Sequence, residues 1–143
     1  MNLVTLCLVV VVAAFGTAGS GAQDRPDFSG TWIRVGPQQQ GIRELTIKQD
    51  GATLSFEGQP DMTKRTLKLD GSESEVSAPD GKPLLGKAVW AGKTLVITIH
   101  FVETTRDIRR QTWRIDADGQ LVMETEFLGG KPQAPLKEVF KRR

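Results

Sequence analysis

Short segments in which apolar and polar residues alternate, separated by glycine-containing turns, are the sequence feature that most constrains this fold. The longest runs over Thr94–Phe101, where the apolar residues that share one face are Leu95, Ile97, Ile99 and Phe101. A period of two gives a strand one buried and one solvated face. No segment sustains a helical period. The sequence therefore predicts an all-β protein.

Asp-Gly pairs recur along the chain at positions 50–51, 70–71, 80–81 and 118–119. Glycine in such pairs supplies the positive φ that tight hairpins need. The segments between the turns predict ten strands: 28–35, 42–49, 52–58, 64–69, 72–78, 84–90, 93–103, 107–115, 120–127 and 136–141. Consecutive hairpins form an up-and-down antiparallel meander. Closing about 8–10 such strands into a barrel covers every apolar face and removes exposed edges.

Residues 1–23 carry no charged side chain, and an apolar stretch is followed by small residues. This pattern is typical of a secretory signal peptide, and the stretch is short for a membrane span, which needs about 20 residues. We therefore expect a single barrel domain over 24–143, with no membrane span after cleavage and a secreted or periplasmic location. The only cysteine, Cys7, lies in this leader, so the mature chain would contain neither a disulfide nor a thiol.

Charge and composition exclude several classes of function. The formal net charge is +2, and the basic residues are spread along the chain rather than gathered in the dense patch of a nucleic-acid binder. The only histidine, His100, alternates with the apolar face of its strand, which indicates a surface position. Without an oriented base or an activated nucleophile, we predict no enzyme, no catalytic residue, no metal site and no cofactor.

Three arginines extend the apolar faces of their strands backward by one step. Arg43 precedes Leu45, Arg65 precedes Leu67, and Arg109 falls on the face of Trp113. These belong to the second, fourth and eighth predicted strands, which run in the same direction in a meander. The three side chains are therefore predicted to gather at one rim, where they would bind a carboxylate. The alternatives are solvated strand ends or pairing with Glu138, which lies in register with Phe140.

The segment Phe28-Ser29-Gly30-Thr31-Trp32 resembles the Gly-x-Trp signature that opens the first strand of calycins, the group of lipocalins, fatty-acid-binding proteins and avidins. Together with Asp27, it is also similar to the opening of small secreted bacterial lipocalin-like proteins. The resemblance implies a structural role for Trp32 at one barrel end, covered by an arginine. Arg114, Arg142 and Arg143 are the candidates for that arginine. Unlike fatty-acid-binding proteins, the chain leaves only a short loop at Gly36–Gly41 where they have two helices.

A closed barrel of this kind is able to hold one small ligand. We therefore expect an exported, non-catalytic barrel that binds a small apolar or amphipathic molecule, and an anionic ligand would be held by its arginines. The cavity wall is predicted to include Phe56, Leu67, Ile97, Phe101, Trp113 and Met123, each of which would otherwise be ordinary core. The alternative is a filled barrel that acts as a protein-binding module or inhibitor of an envelope protein. A cavity of roughly 300 Å³ or more would favour the ligand.

Overall fold

The computed structural model describes residues 24–37, 41–77 and 81–143. It contains ten β-strands: β1 Gly30–Arg34, β2 Glu44–Gln49, β3 Thr53–Gln59, β4 Met62–Lys68, β5 Glu73–Ser77, β6 Pro83–Ala91, β7 Thr94–Phe101, β8 Asp107–Ile115, β9 Leu121–Phe127 and β10 Leu136–Arg142. The described ranges contain no helix, and hence none that is long and apolar enough to cross a membrane. All ten predicted strands are confirmed, with ends that differ by at most two residues. The predicted leader and Cys7 lie outside the described residues.

The strands form one antiparallel sheet in the order β4-β3-β2-β1-β10-β9-β8-β7-β6-β5. Strand β1 pairs with β10, so the two ends of the meander meet in the middle of the sheet. Strands β4 and β5 follow each other in the chain but share no ladder of hydrogen bonds. The backbone N–H of Lys68 instead donates to the Ser74 hydroxyl at 3.1 Å across this gap, which we call the seam. The result is a nearly closed ten-stranded barrel.

Alternation along each strand places one set of side chains inside the barrel. The fully buried side chains include Phe28, Trp32, Leu45, Leu54, Leu67, Leu95, Ile97, Trp113, Leu121 and Phe140. Aromatic rings make up much of this interior: Phe28 stacks on Trp90 with centroids 5.7 Å apart, and Phe56 meets Trp113 edge to face at 5.0 Å. Such pairs add to the free energy gained by burying their area.

The lead-in to β1 covers one end of the barrel, which we call the closed end. The Trp32 indole N–H donates to the Phe28 carbonyl at 2.8 Å, and the Arg142 guanidinium lies 4.4 Å from the centre of the Trp32 ring. The same guanidinium donates to the Ser29 and Asp27 carbonyls. Gly30 has φ of +132°, and a Cβ there would lie 2.9 Å from Arg142, so glycine is required. Arg142 is thus the arginine that covers the signature tryptophan.

The opposite end, which we call the open end, is where even-numbered strands begin and odd-numbered strands finish. Its described loops are 35–37 with 41–43, 60–61, 81–82, 102–106 and 128–135. Strands β4 and β8 run in the same direction, so the first residues of both lie at this end. A residue near the start of β4 therefore faces a residue near the start of β8 across the mouth of the barrel.

Candidate functional site: an interior arginine pair at the open end

Arg65 and Arg109 both point into the barrel at its open end. Arg65 on β4 lies two residues before Leu67, and Arg109 on β8 lies four before Trp113, and both of these apolar residues are fully buried. Across the ladders, Arg65 pairs with Phe56, while Arg109 lies between Ile99 and Phe127. Ordinary strand alternation therefore carries two cations into an apolar interior.

The Nε atoms of both are buried without a hydrogen-bond partner in the part of the chain that the structure describes, while the two side chains as a whole are half-buried. Burial lowers the pKa of Arg65. Burial also lowers the pKa of Arg109 to about 10, and the nearby charge of Arg65 adds to this effect. A buried cation without a partner is unfavourable, because it has lost its hydration and gained nothing in return. The pair is therefore suited to receive an anion.

Two cavities meet at this pair, and together with it they form what we call the interior site. One has a volume of about 290 Å³ and is lined by Arg65 and Arg109 together with Gly41, Ile42, Pro60, Asp61, Met62 and Thr63. The other, of about 230 Å³, is lined by the same two arginines with Leu84, Ile99, Ile108 and Phe127. Most of the lining is apolar, and its charged side chains are the two arginines and Asp61.

The wall of the larger cavity depends on a close contact between Ile42 and β3. A Cβ on Gly58 would lie 2.9 Å from the Ile42 side chain, so the absence of a side chain at position 58 lets Ile42 settle against the sheet. The register of β3 with β4 also shifts between Phe56 and Gly58. Such a shift in register bends β3 at the point where the cavity opens.

A separate ion pair occupies the neighbouring part of the open end. The Arg34 guanidinium lies 3.4 Å from the Glu138 carboxylate, and both side chains are largely buried. Burial raises the pKa of Glu138, and the charge of Arg34 partly opposes that rise. Because Glu138 pairs with Arg34, it does not neutralise Arg65 or Arg109. Deeper inside, Gln111 donates to the Thr125 hydroxyl at 3.1 Å, which satisfies another inward polar pair.

The structure brings together two of the three arginines that the sequence singled out. Arg65 and Arg109 share the interior site, but Arg43 is exposed and lies one residue before the start of β2. Its backbone is hydrogen-bonded to Arg34 and Gln59, yet its side chain does not join the site. Placing Arg43 inside was therefore wrong: the alternation of β2 was extended past its first residue, into the bend that leads into the strand.

The six apolar candidates for the cavity wall are placed differently. Five of them, Phe56, Leu67, Ile97, Trp113 and Met123, are buried in the core, and neither cavity of the interior site is lined by them. Phe101 is half-buried and lines a separate cavity of about 260 Å³ beside Lys82 and Val102. The apolar side chains of the lining that sequence reasoning missed include Ile42, Met62, Leu84, Ile99, Ile108 and Phe127. Their nearness to the strand starts and ends at the rim was the signal that would have found them.

His100 lies on the outer face, as its alternation predicts, but it is well covered. Its Nε2 lies 3.4 Å from Glu73 and its Nδ1 3.8 Å from Asp107. No group of three histidine, cysteine or acidic side chains within the described ranges is arranged to hold a metal ion. The histidine therefore belongs to a surface cluster that ties β5, β7 and β8 together.

Comparison with known proteins places this architecture. No protein-family profile and no curated protein matches the chain in sequence. Among solved structures, a REP1-NXSQ fatty acid transporter superposes with a TM-score of 0.59 at 15% identity, covering 80% of this chain and 95% of its own. A zebrafish ileal bile acid-binding protein complexed with cholic acid superposes with a TM-score of 0.62 at 21% identity, and the match covers 81% of this chain and 98% of that protein. Human cRBP IV superposes with a TM-score of 0.60 at 17% identity, and the match covers 82% of this chain and 99% of that protein. With its nearly closed ten-stranded meander, the chain has a calycin-like fold.

Proposed function

We propose that this protein binds a small amphipathic anion inside its barrel and carries it without chemical change. The observation that supports this most directly is the pair of half-buried arginines, Arg65 and Arg109, whose buried Nε atoms have no partner among the described residues and which line two largely apolar cavities. An anionic group placed between them would form charge-assisted, bidentate hydrogen bonds. The structural neighbours are consistent with this, since their names describe a fatty acid transporter and a bile acid-binding protein.

The size of the site limits the ligand. Each of its two cavities, of about 290 and 230 Å³, is smaller than the roughly 300–1,000 Å³ of small-molecule sites, so neither alone reaches the volume expected of a ligand site and the proposal requires both together. The closed half of the barrel is filled by side chains such as Phe28, Trp32 and Trp113. A ligand of this site would therefore be small, and it would not extend through the barrel.

The packed closed half also favours a second candidate, a protein-binding module whose barrel is a scaffold. In that case the interior site would play no part, and an envelope protein would contact the outer surface or one end. The buried arginines argue against this alternative, because a scaffold gains nothing from two uncompensated internal cations. Ligand-binding measurements separate the two candidates.

Isothermal titration calorimetry with octanoate and with octanol tests the proposed function, because the two share a tail and differ in charge. We expect octanoate to bind at least tenfold more tightly than octanol. The Arg65→Leu/Arg109→Leu double variant should lose this preference, since it removes both cations from the site. Arg110→Gln is the matched control. It removes an exposed arginine that lies next to Arg109 on β8 and is paired with Glu126 at 3.3 Å, and it should leave binding unchanged.

Equal binding of the acid and the alcohol would contradict an anion site. If the protein binds neither octanoate nor any member of a mixed pool of shorter and longer fatty acids, the proposed binding of amphipathic anions is overturned. The protein-binding module is then favoured. Circular dichroism of the double variant checks that a loss of binding does not come from a loss of fold.

A further inference from the structure

We propose that the interior site is built for a compact, doubly charged oxyanion with a short apolar tail, of the phosphate monoester class. This inference rests on the proposed function and names its ligand class. The site contains two positive charges, and a ligand that compensates both must itself carry two negative charges. Arg65 and Arg109 bring two guanidinium groups to one place, since both side chains line each of the two cavities of the interior site.

A singly charged carboxylate would compensate only one of these two cations. Within the described ranges, no protein carboxylate supplies the second charge. Glu138 is engaged by Arg34 at 3.4 Å, and Asp61 lines the larger cavity as an exposed residue without an ion pair to either arginine. A phosphate monoester carries about −1.5 to −2 charges at pH 7 and three strong acceptor oxygens. It therefore offers one charge and a pair of acceptor oxygens to each guanidinium.

The packing beneath the arginines fixes how such a ligand lies. Leu67, the next inward residue after Arg65, is fully buried and reaches across the seam, since a Cβ on Gly86 would lie 2.7 Å from its Cδ2. Phe56, opposite Arg65, packs edge to face against Trp113. These side chains fill the interior beneath the two arginines. They form the floor of the site, just below the guanidinium groups.

The tail of the ligand must then run toward the mouth, between the two cavity walls. The apolar side chains available there include Ile42 and Met62 on one side and Ile108 and Phe127 on the other. Phe127 is 37% exposed, so the wall ends in solvent within a short distance. A tail of a few carbons would be covered, and further carbons would extend into water.

Calorimetry at pH 8, where the second ionisation of a phosphate monoester with its pKa of about 6 is complete, tests the charge requirement. The probes are hexyl phosphate, hexanesulfonate and hexanoate, each of which contains six carbons; the first two have tetrahedral head groups, and only the first is a dianion. We expect hexyl phosphate to bind at least tenfold more tightly than either monoanion. Asp61→Asn should strengthen its binding by a factor of two or three, because it removes a like charge at the mouth.

Arginine-to-lysine and tail-length series complete the experiment. Arg65→Lys/Arg109→Lys keeps both charges but not the bidentate geometry, and should weaken hexyl phosphate more than tenfold. From ethyl to octyl phosphate, we expect affinity to rise about fourfold for each early methylene, which corresponds to about 0.8 kcal/mol, and then to level off. Arg110→Gln should change none of these values.

The outcomes are distinguishable. Hexanoate that binds as tightly as hexyl phosphate, with both lost in Arg65→Leu/Arg109→Leu, would overturn the dianion and leave the proposed function standing. Inorganic phosphate that binds as tightly as hexyl phosphate would overturn the requirement for a tail. If none of the three six-carbon probes binds while octanoate does, the dianion is overturned and the proposed function stands; if octanoate and the fatty-acid pool also fail to bind, both are overturned.

Discussion

At the scale of single residues, Arg65 and Arg109 stand out because they oppose the folding of the barrel around them. Both are half-buried at the edge of the core, each carries a charge that burial disfavours, and the buried Nε atom of each has no protein partner within the described ranges. Groups retained at a cost in stability are expected where function requires them. The same two side chains should therefore have opposite effects on stability and on binding.

We expect Arg109→Leu to increase the free energy of unfolding by about 1–3 kcal/mol, because it replaces an unpaired buried cation by an apolar side chain. Urea denaturation followed by circular dichroism measures the change. The control is Arg110→Leu, which removes an exposed ion pair and should stay within about 0.5 kcal/mol of the parent. A clear loss of stability in Arg109→Leu would contradict the absence of a partner for this guanidinium.

Residue positions could be predicted from the sequence as far as strand alternation held. Alternation placed Arg65 and Arg109 inside, and the strand count placed both at the same end. It did not place Arg43, because the bend before β2 breaks the alternation where the strand begins. Nor could it separate cavity wall from core: Phe56 and Ile42 are both apolar, and only the three-dimensional packing decides which of them borders empty space.

At the scale of elements, the seam between β4 and β5 was beyond sequence reasoning. The turn between these strands looks like the hairpin turns elsewhere: Gly71 has φ of +83°, and the Asp70 carboxylate accepts from the Ser72 N–H at 2.8 Å. The local chemistry is the same whether or not the flanking strands form a ladder. Here Leu67 packs onto Gly86 of β6 instead. The seam is thus closed by side-chain packing where other neighbours in the sheet are joined by backbone hydrogen bonds.

Gly86→Ala should therefore destabilise the protein by about 1–3 kcal/mol, since the added methyl collides with Leu67 in a packed core. Leu67→Ala alone should cost about 2–5 kcal/mol. In the double variant the new methyl has room, so we expect the two effects to fall short of additivity by more than about 1 kcal/mol.

Chemical denaturation of the four proteins gives this double-mutant cycle. Gly51→Ala is the matched control, because a Cβ at that position meets no atom within 4 Å and the backbone is not left-handed. Strict additivity of the two substitutions would show that Leu67 does not close the seam.

At the scale of the whole molecule, the barrel divides into a packed closed half and an open half that contains charges and cavities. The acidic groups with shifted pKa values follow this division. At the closed end, hydrogen bonds from Ser29 lower the pKa of Asp27, with the charge of Arg142 adding to the effect. At the open end, burial raises the pKa of Glu138. The two carboxyl groups therefore change the global stability in opposite directions as the pH changes.

Their pH windows are separate. The stability from Asp27 is present above its ordinary pKa of 3.8 and is lost as the pH falls through its lowered value. The stability from protonated Glu138 is present below its ordinary pKa of 4.5 and is lost as the pH rises through its raised value. Above pH 4.5, loss of stability on ionising Glu138 should thus dominate over any effect of Asp27.

Glu138→Gln should abolish this loss, because the amide resembles the protonated carboxyl and does not ionise. We expect the unfolding free energy of the wild-type protein to fall between pH 4.5 and 7, and that of the variant to fall much less over the same range. Glu126→Gln, which alters an exposed carboxyl of the neighbouring strand, should follow the wild-type curve. Parallel curves for wild type and Glu138→Gln would mean that the Arg34 ion pair compensates the burial of Glu138 fully. In that case the main electrostatic loss of stability at the open end would come from Arg65 and Arg109, because Glu138 does not pair with either of them.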